Sequence, residues 1–214
     1  MSLLRTTITY TSNSTNSSIN RPGFKSFKTA EPIVYPSRWH RDFLIQATLD
    51  SEIEAIEHAP GEQQDQYSFS IFVFVGGARR LLVGVRDIGD LTNVNFPVGG
   101  TAVSRSYVLA EPRCSAARAI WSTRSTLISP SDRVRILSLL MDRAEGVSLG
   151  LLASQMTGGD RDPIAVVLAL VCAGQAEIDI SSPISPETVV RRRLLHPIAR
   201  RSPEDSPASI RNSV

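Results

Sequence analysis

Residues Ser129–Ile180, SPSDRVRILSLLMDRAEGVSLGLLASQMTGGDRDPIAVVLALVCAGQAEIDI, carry the clearest structural signals in the chain. Ser129-Pro130-Ser131-Asp132 has the form of a helix start: a hydroxyl to cap, a proline where no N–H is needed, and an acid three residues on. Val134, Leu137, Leu140 (or Met141) and Ala144 then recur at helical spacing until Glu145-Gly146 interrupts them. Ser148 caps a second helix bearing Leu149, Leu152 and Met156, closed by Thr157-Gly158-Gly159. Asp162-Pro163 opens a third, Ile164–Ala173, which Gly174 stops. Gln175–Ile180 alternates instead, with Ala176, Ile178 and Ile180 on one side, as a half-buried strand does.

Three short helices followed by a strand predict a winged-helix-like unit over 127–182. A unit of that shape that reads DNA lays its third helix in the major groove and offers Arg, Asn, Gln or Lys to the base edges. The run Ile164-Ala165-Val166-Val167-Leu168-Ala169-Leu170-Val171-Cys172-Ala173 offers none of these and is apolar nearly all round. It predicts a buried helix, and with it a module for a protein partner rather than for base readout.

The remaining composition sets broad limits. The 214 residues, 42% of them hydrophobic, suffice for one generous domain or two small ones. A net charge of +2 does not identify a nucleic-acid binder, but among 23 basic residues only Lys25 and Lys28 are lysines. The guanidinium fork suits phosphate and carboxylate, so anionic partners stay in view; GC-rich coding would leave the same bias without any function. Cys114 and Cys172 have no metal-ligand spacing and read as buried thiols in a reducing compartment. His40, His58 and His196 form no ligand pair, and each Gly-Gly lacks a phosphate-loop context. The start, Met1-Ser2-Leu3-Leu4-Arg5-Thr6, lacks the apolar core of a signal peptide, and no run of about 18 apolar residues exists, so a cytoplasmic protein without membrane spans is expected.

Residues 1–31, rich in Ser, Thr and Asn, read as a disordered N-terminal arm, with Phe24 and Phe27 as anchors. Ser37 opens a helix whose stripe is Trp39, Phe43 and Ala47, ending at Asp50-Ser51; Glu52–Ala59 suggests a strand or turn. Tyr67–Val75 and Arg80–Arg86 read as strands joined at Gly76-Gly77, Ala102–Leu109 as a further strand, and Cys114–Arg124 as a helix. The order makes 32–126 an α/β unit with a small mixed sheet. Past Ile180 the chain thins to a basic, largely disordered tail over 183–214, with a short helix from Pro186 to Leu195. Its Arg191, Arg192 and Arg193 are candidate phosphate contacts.

The run Ser37-Arg38-Trp39-His40-Arg41-Asp42-Phe43-Leu44, with Leu49-Asp50 and His58-Ala59-Pro60, resembles the opening of the TnsA-like transposon endonucleases. There a helix of the form S-x-x-E-R-D-F leads through an acidic turn to a strand. The hairpin 67–86 falls where that family, like restriction endonucleases, has its catalytic strands. Tyr107–Glu111 and Ala116–Trp121 fall on its last strand and helix. The resemblance covers roughly 35–180 and implies a restriction-endonuclease-like fold, a C-terminal helical domain that engages a partner ATPase, and a mobile-element or plasmid setting.

It does not carry the activity with it. Such nucleases hold Mg²⁺ with two or three carboxylates and keep a lysine near the attacking water. On this alignment the helix Glu is His40, the metal-binding Asp falls at or near Ser68 or Ser70, and Glu-x-Lys falls on Gly84-Val85-Arg86. An imidazole, a hydroxyl and a glycine would not hold a hard cation, and Arg86 cannot release a proton at neutral pH. The expectation is therefore a catalytically inactive nuclease-like protein with no metal and no cofactor. It would lie on the DNA backbone through Arg38, His40, Arg41, Arg79, Arg80 and Arg86, or bind a protein partner through 127–182. Two rivals stand beside it. One is an active metal-dependent endonuclease using Glu52 or Asp65 with Asp87, and the other is a regulatory interaction module whose arginines touch no nucleic acid.

Overall fold

The structure, a computed structural model, describes residues 23–59, 68–87, 99–156 and 161–194. In chain order these form α1 (Arg38–Leu49), β1 (Ile53–His58), β2 (Ser68–Val75), β3 (Ala78–Val85), β4 (Gly100–Ser104), α2 (Arg105–Val108) and α3 (Arg113–Ser122). There follow α4 (Pro130–Asp142), β5 (Val147–Ser148), α5 (Leu149–Ser154), α6 (Pro163–Cys172), β6 (Ala176–Ile178) and β7 (Val189–Arg192). The protein is mixed α/β, with a four-stranded mixed sheet ordered β1-β2-β3-β4 and helices against it. β1, β2 and β3 are an antiparallel meander, and β4 runs parallel to β3. Asp65 and the expected helix end at Thr157-Gly158-Gly159 lie outside the described residues, as do 1–22 and 195–214.

The β2–β3 hairpin forms where two glycines allow it. Gly76 (φ 58°) and Gly77 (φ 75°) both sit in the left-handed region that a tight two-residue turn between twisted strands requires. β2 then alternates, with Phe69, Ile71 and Val73 buried and Ser70, Phe72 and Phe74 only half-buried. The buried set faces α1, whose Phe43 meets Phe69 edge to face at 6.5 Å. On its other side α1 packs against α3, and α3 in turn against α6, where the Cys172 thiol lies 3.2 Å from the Ile120 carbonyl. Buried side chains from 24 to 190 form one continuous cluster. Within it each of Phe43, Leu44 and Ile45 contributes about 1.5–3 kcal/mol by burial.

The caps expected at Ser129, Ser148 and Asp162 all form, their side chains accepting from the N–H of Asp132, Leu151 and Ile164. α6 is buried from Val166 to Cys172, as its composition requires. The stripe expected on α4 is buried in part. Leu140 is buried as expected, but Val134 (65% exposed), the alternative Met141 (60%) and Ala144 face out, and Ile136, outside the stripe, is buried. The run from Val134 to Met141 is apolar on two faces at once, so spacing alone cannot choose between them. The strand expected over Ala102–Leu109 stops at Ser104, whose hydroxyl accepts from the Tyr107 N–H and turns the chain into α2.

Residues 183–194, read as the start of a disordered tail with a helix from Pro186, hold β7 instead. It is the middle strand of the second sheet, ordered β5-β7-β6, and its Val190 is fully buried. β-branched Val189-Val190 fits a pleated, half-buried surface better than a helix. Residues 23–31, the end of the expected arm, are likewise built in. Phe24 pairs with Ile33 and stacks on Trp121 at 5.0 Å, and the Lys28 carbonyl accepts from the Ile56 N–H.

Lys28 is the least expected core residue, only 4% exposed. Its ammonium donates to the carbonyls of Ala47 and Asp50, capping the negative end of α1. Burial lowers its pKa to about 7, helped by the charge of Arg193. Between about pH 7 and 10.5 the unfolded chain holds a proton that the folded chain releases, so stability rises with pH across that window. Denaturant midpoints at pH 7 and pH 9 should show the native protein gaining up to about 2.5 kcal/mol, and Lys28→Met should show no such gain. Equal slopes for the two proteins would refute the burial of this charge.

Candidate functional site

Ser37 begins α1 with extended backbone, but its hydroxyl does not cap the helix N–H groups. It lies 2.9 Å from His40 Nδ1 instead. That contact turns the imidazole inward, where its ring centre is 3.8 Å from that of Trp39 and 5.1 Å from that of Phe69. His40 is fully buried, its Nε2 has no partner, and burial lowers its pKa to about 4. Across the sheet, Phe69 pairs with Gly84 on the face toward α1. A Cβ built on Gly84 would stand 3.1 Å from Trp39 Cη2.

The structure thus brings His40 and Gly84 to one place and fills that place with Trp39 and Phe69. Ser70 points to the opposite face of β2, and Ser68 pairs with Val85. Arg86 is exposed just past β3. Glu52 and Asp87 are exposed at other points, and among the described residues no three of His, Cys, Asp and Glu gather where they could hold a metal. Two rings, a backbone and an uncharged imidazole do not fit Mg²⁺, which requires several oxygen ligands.

The candidate phosphate contacts separate into groups. His40 is corrected outright: a fully buried, neutral ring cannot reach a phosphate. Arg193 is corrected as well. It is half-buried, donates from Nη2 to the Ile53 carbonyl at 3.1 Å and lies 4.7 Å from the Phe27 ring centre. Arg79 lies 3.5 Å over Phe72 and pairs with Glu57 at 3.6 Å. Arg79 and Arg80 sit by the hairpin turn, roughly 20 Å along β3 from Arg86 at about 3.3 Å per residue. Arg191 and Arg192 line a groove of about 760 Å³ together with Glu52, Glu54 and Glu177, whose charges offset theirs.

Arg38 and Arg41 are different. They line a recess of about 270 Å³ between α1 and α3, which Arg118 and Arg124 of the other wall also enter. Among the described residues Asp42, 4% exposed, is the one acid there, and it is taken: Arg118 donates from Nε at 3.0 Å and from Nη2 at 2.6 Å to its two oxygens. That bidentate bond pushes the Arg118 pKa further up. Arg124 is braced by Trp121, lying 5.8 Å from its ring centre and donating to its carbonyl at 3.2 Å. Sequence reasoning placed α3 but missed Arg118 and Arg124, because the α1–α3 pairing that brings them to Arg38 and Arg41 spans 76 residues and leaves no local pattern.

No family model, curated protein or solved structure matches this chain.

Two outcomes follow from the filled position. Between about pH 4 and 6.5 the unfolded chain protonates a histidine that the folded chain keeps neutral, so stability falls as pH drops through that window. Urea melts at pH 6.5 and 4.5 should show the native protein losing about 2–3 kcal/mol more than His40→Asn, with matching losses counting against the buried ring. Gly84→Ala presses a methyl on Trp39 and should lower stability by about 1–3 kcal/mol. Gly84→Glu, which adds a carboxylate among rings, should lower it further; unchanged melting of both variants would show that the position is open.

Proposed function

We propose that this protein holds DNA by its backbone without cutting it, on a TnsA-like, restriction-endonuclease-like scaffold followed by a winged-helix-like unit. What supports the scaffold is the order of its parts: a helix, a three-stranded antiparallel meander, a parallel fourth strand and a returning helix. The second unit has helix, strand, two helices and two strands, with its last strand in the middle of the sheet. The observation that carries the reading is the pairing of two features at the N-terminal end of α1. The position that should hold metal-binding acids is filled by Trp39, His40 and Phe69, and beside it four arginines face one recess with a single, occupied carboxylate.

A scaffold that carries no metal there also lacks the carboxylates that repel phosphate, so contact with DNA becomes easier where cleavage has become impossible. The helical unit serves a protein partner. Its third helix is buried, while Val134 and Met141 stand out on one side of α4.

Filter binding on random duplex DNA should give retention at 50 mM salt that weakens steeply by 200 mM, with a Kd of roughly 10⁻⁴–10⁻⁶ M at physiological salt. Supercoiled plasmid incubated with the protein and Mg²⁺ or Mn²⁺ should stay intact. Retention that is absent or indifferent to salt would overturn the binding, and nicking lost in Glu52→Ala or Asp87→Ala would favour an active enzyme.

A further inference from the structure

The DNA reading above does not say where a phosphate sits. We propose that the recess between α1 and α3 is a phosphate site, in which Arg38, Arg41 and Arg124 grip one backbone phosphodiester while Arg118 forms the fixed wall. This rests on the DNA-backbone reading, and it is narrower than that reading.

Charge is the first reason. Among the described residues four guanidinium groups and one carboxylate line the recess, an excess of three positive charges in about 270 Å³. Among the described residues the ion pairs are Arg79 with Glu57 and Arg118 with Asp42, so neither Arg38 nor Arg41 has a carboxylate partner. The groove around Arg191 and Arg192 holds three glutamates and has no such excess.

Preorganisation is the second reason. Asp42 takes two donors of Arg118 and fixes its plane, and Trp121 fixes Arg124 through its ring and its carbonyl. The wall made by α3 and the residues just after it is therefore set before a ligand arrives, and less side-chain freedom is lost on binding. Arg38 is exposed and Arg41 half-buried on the facing wall, free to close on the anion. A planar fork of N–H donors matches the paired oxygens of a phosphodiester. Ile45 and the nearly buried Trp121 give the recess apolar walls, which lower the local screening by water.

The test compares the full chain with Arg38→Ala/Arg41→Ala and Arg191→Ala/Arg192→Ala on a random 25-base-pair duplex. The first variant should bind about tenfold or more weakly near 100 mM salt, and its plot of log K against log salt should be shallower by about 1–2. The second should match the parent. Neither Arg38 nor Arg41 anchors the core, so unchanged melting temperatures should accompany the loss. A parallel titration with inorganic phosphate follows tryptophan emission, since Trp121 borders the recess.

If the parent binds DNA and Arg38→Ala/Arg41→Ala binds with the same affinity and slope, the site is overturned while the DNA reading stands. A loss confined to Arg191→Ala/Arg192→Ala overturns it too. If the parent binds no DNA but phosphate shifts its emission and not that of Arg38→Ala/Arg41→Ala, the site stands with free phosphate as its ligand and the DNA reading falls. If neither ligand binds, both fall.

Discussion

Between Trp39 and Leu49 the first helix shows solvent almost nothing. Ten of its twelve residues are buried, and four of those are polar: His40, Asp42, Gln46 and Thr48. A buried polar group without a partner destabilises by about 1–3 kcal/mol, so the surroundings of α1 are constrained by its polar side chains as much as by its apolar ones. Asp42 requires Arg118 on α3, and Gln46 requires the Val108 carbonyl at 2.6 Å. Thr48 turns back to the Leu44 carbonyl, and the helix's last carbonyls require Lys28. Each partner comes from a different segment, so the placement of α2, α3 and the 23–33 strap follows from what α1 carries inward. His40 Nε2 is the one donor-acceptor site of the four side chains left over, and it lies in the cluster that fills the expected catalytic position.

That cluster is itself a packing device in which three residues depend on one another. Three features act together. A glycine at 84 leaves room, the indole of Trp39 enters that room, and an imidazole at 40 is buried neutral beside it. Changing one alone leaves a hole or a clash, so the three form a single packing unit. Arg38 and Arg41 lie on the outer side of the same helix turn whose inner side is Trp39 and His40, so positive charge and a dry ring cluster share one turn.

Much of the architecture was legible where local rules decide it. Ser129, Ser148 and Asp162 announced their helices through cap chemistry, Gly76-Gly77 announced the hairpin, and the composition of 164–173 announced its burial. Four features were misread, the built-in strap at 23–31 among them, and all but one because something distant decides it. The exposed face of α4 depends on which of two apolar stripes meets β7. The strand at 189–192 depends on two partners 12 or more residues away in the chain. The end of β4 turned on a hydroxyl at Ser104 that could serve either a strand or a cap. The candidate site was half legible. His40 and Gly84 could be picked out in the sequence, but the ring cluster around them and the four-arginine recess both depend on tertiary pairing, from β2 to β3 and from α1 to α3.

The meeting of Phe27, Lys28, Ile53 and Arg193 has a consequence for how the chain is made. Arg193 reaches Ile53 across 140 residues, and its guanidinium covers the ring of Phe27. At about 5–20 residues per second, a ribosome takes roughly 7–28 s to travel that span. Throughout that interval the Phe27 ring lacks the guanidinium that lies over it in the finished fold, and the Ile53 carbonyl lacks its donor. Biogenesis of this protein thus has a built-in delay, and the latch that ends it is the arrival of Arg193 at Phe27 and Ile53.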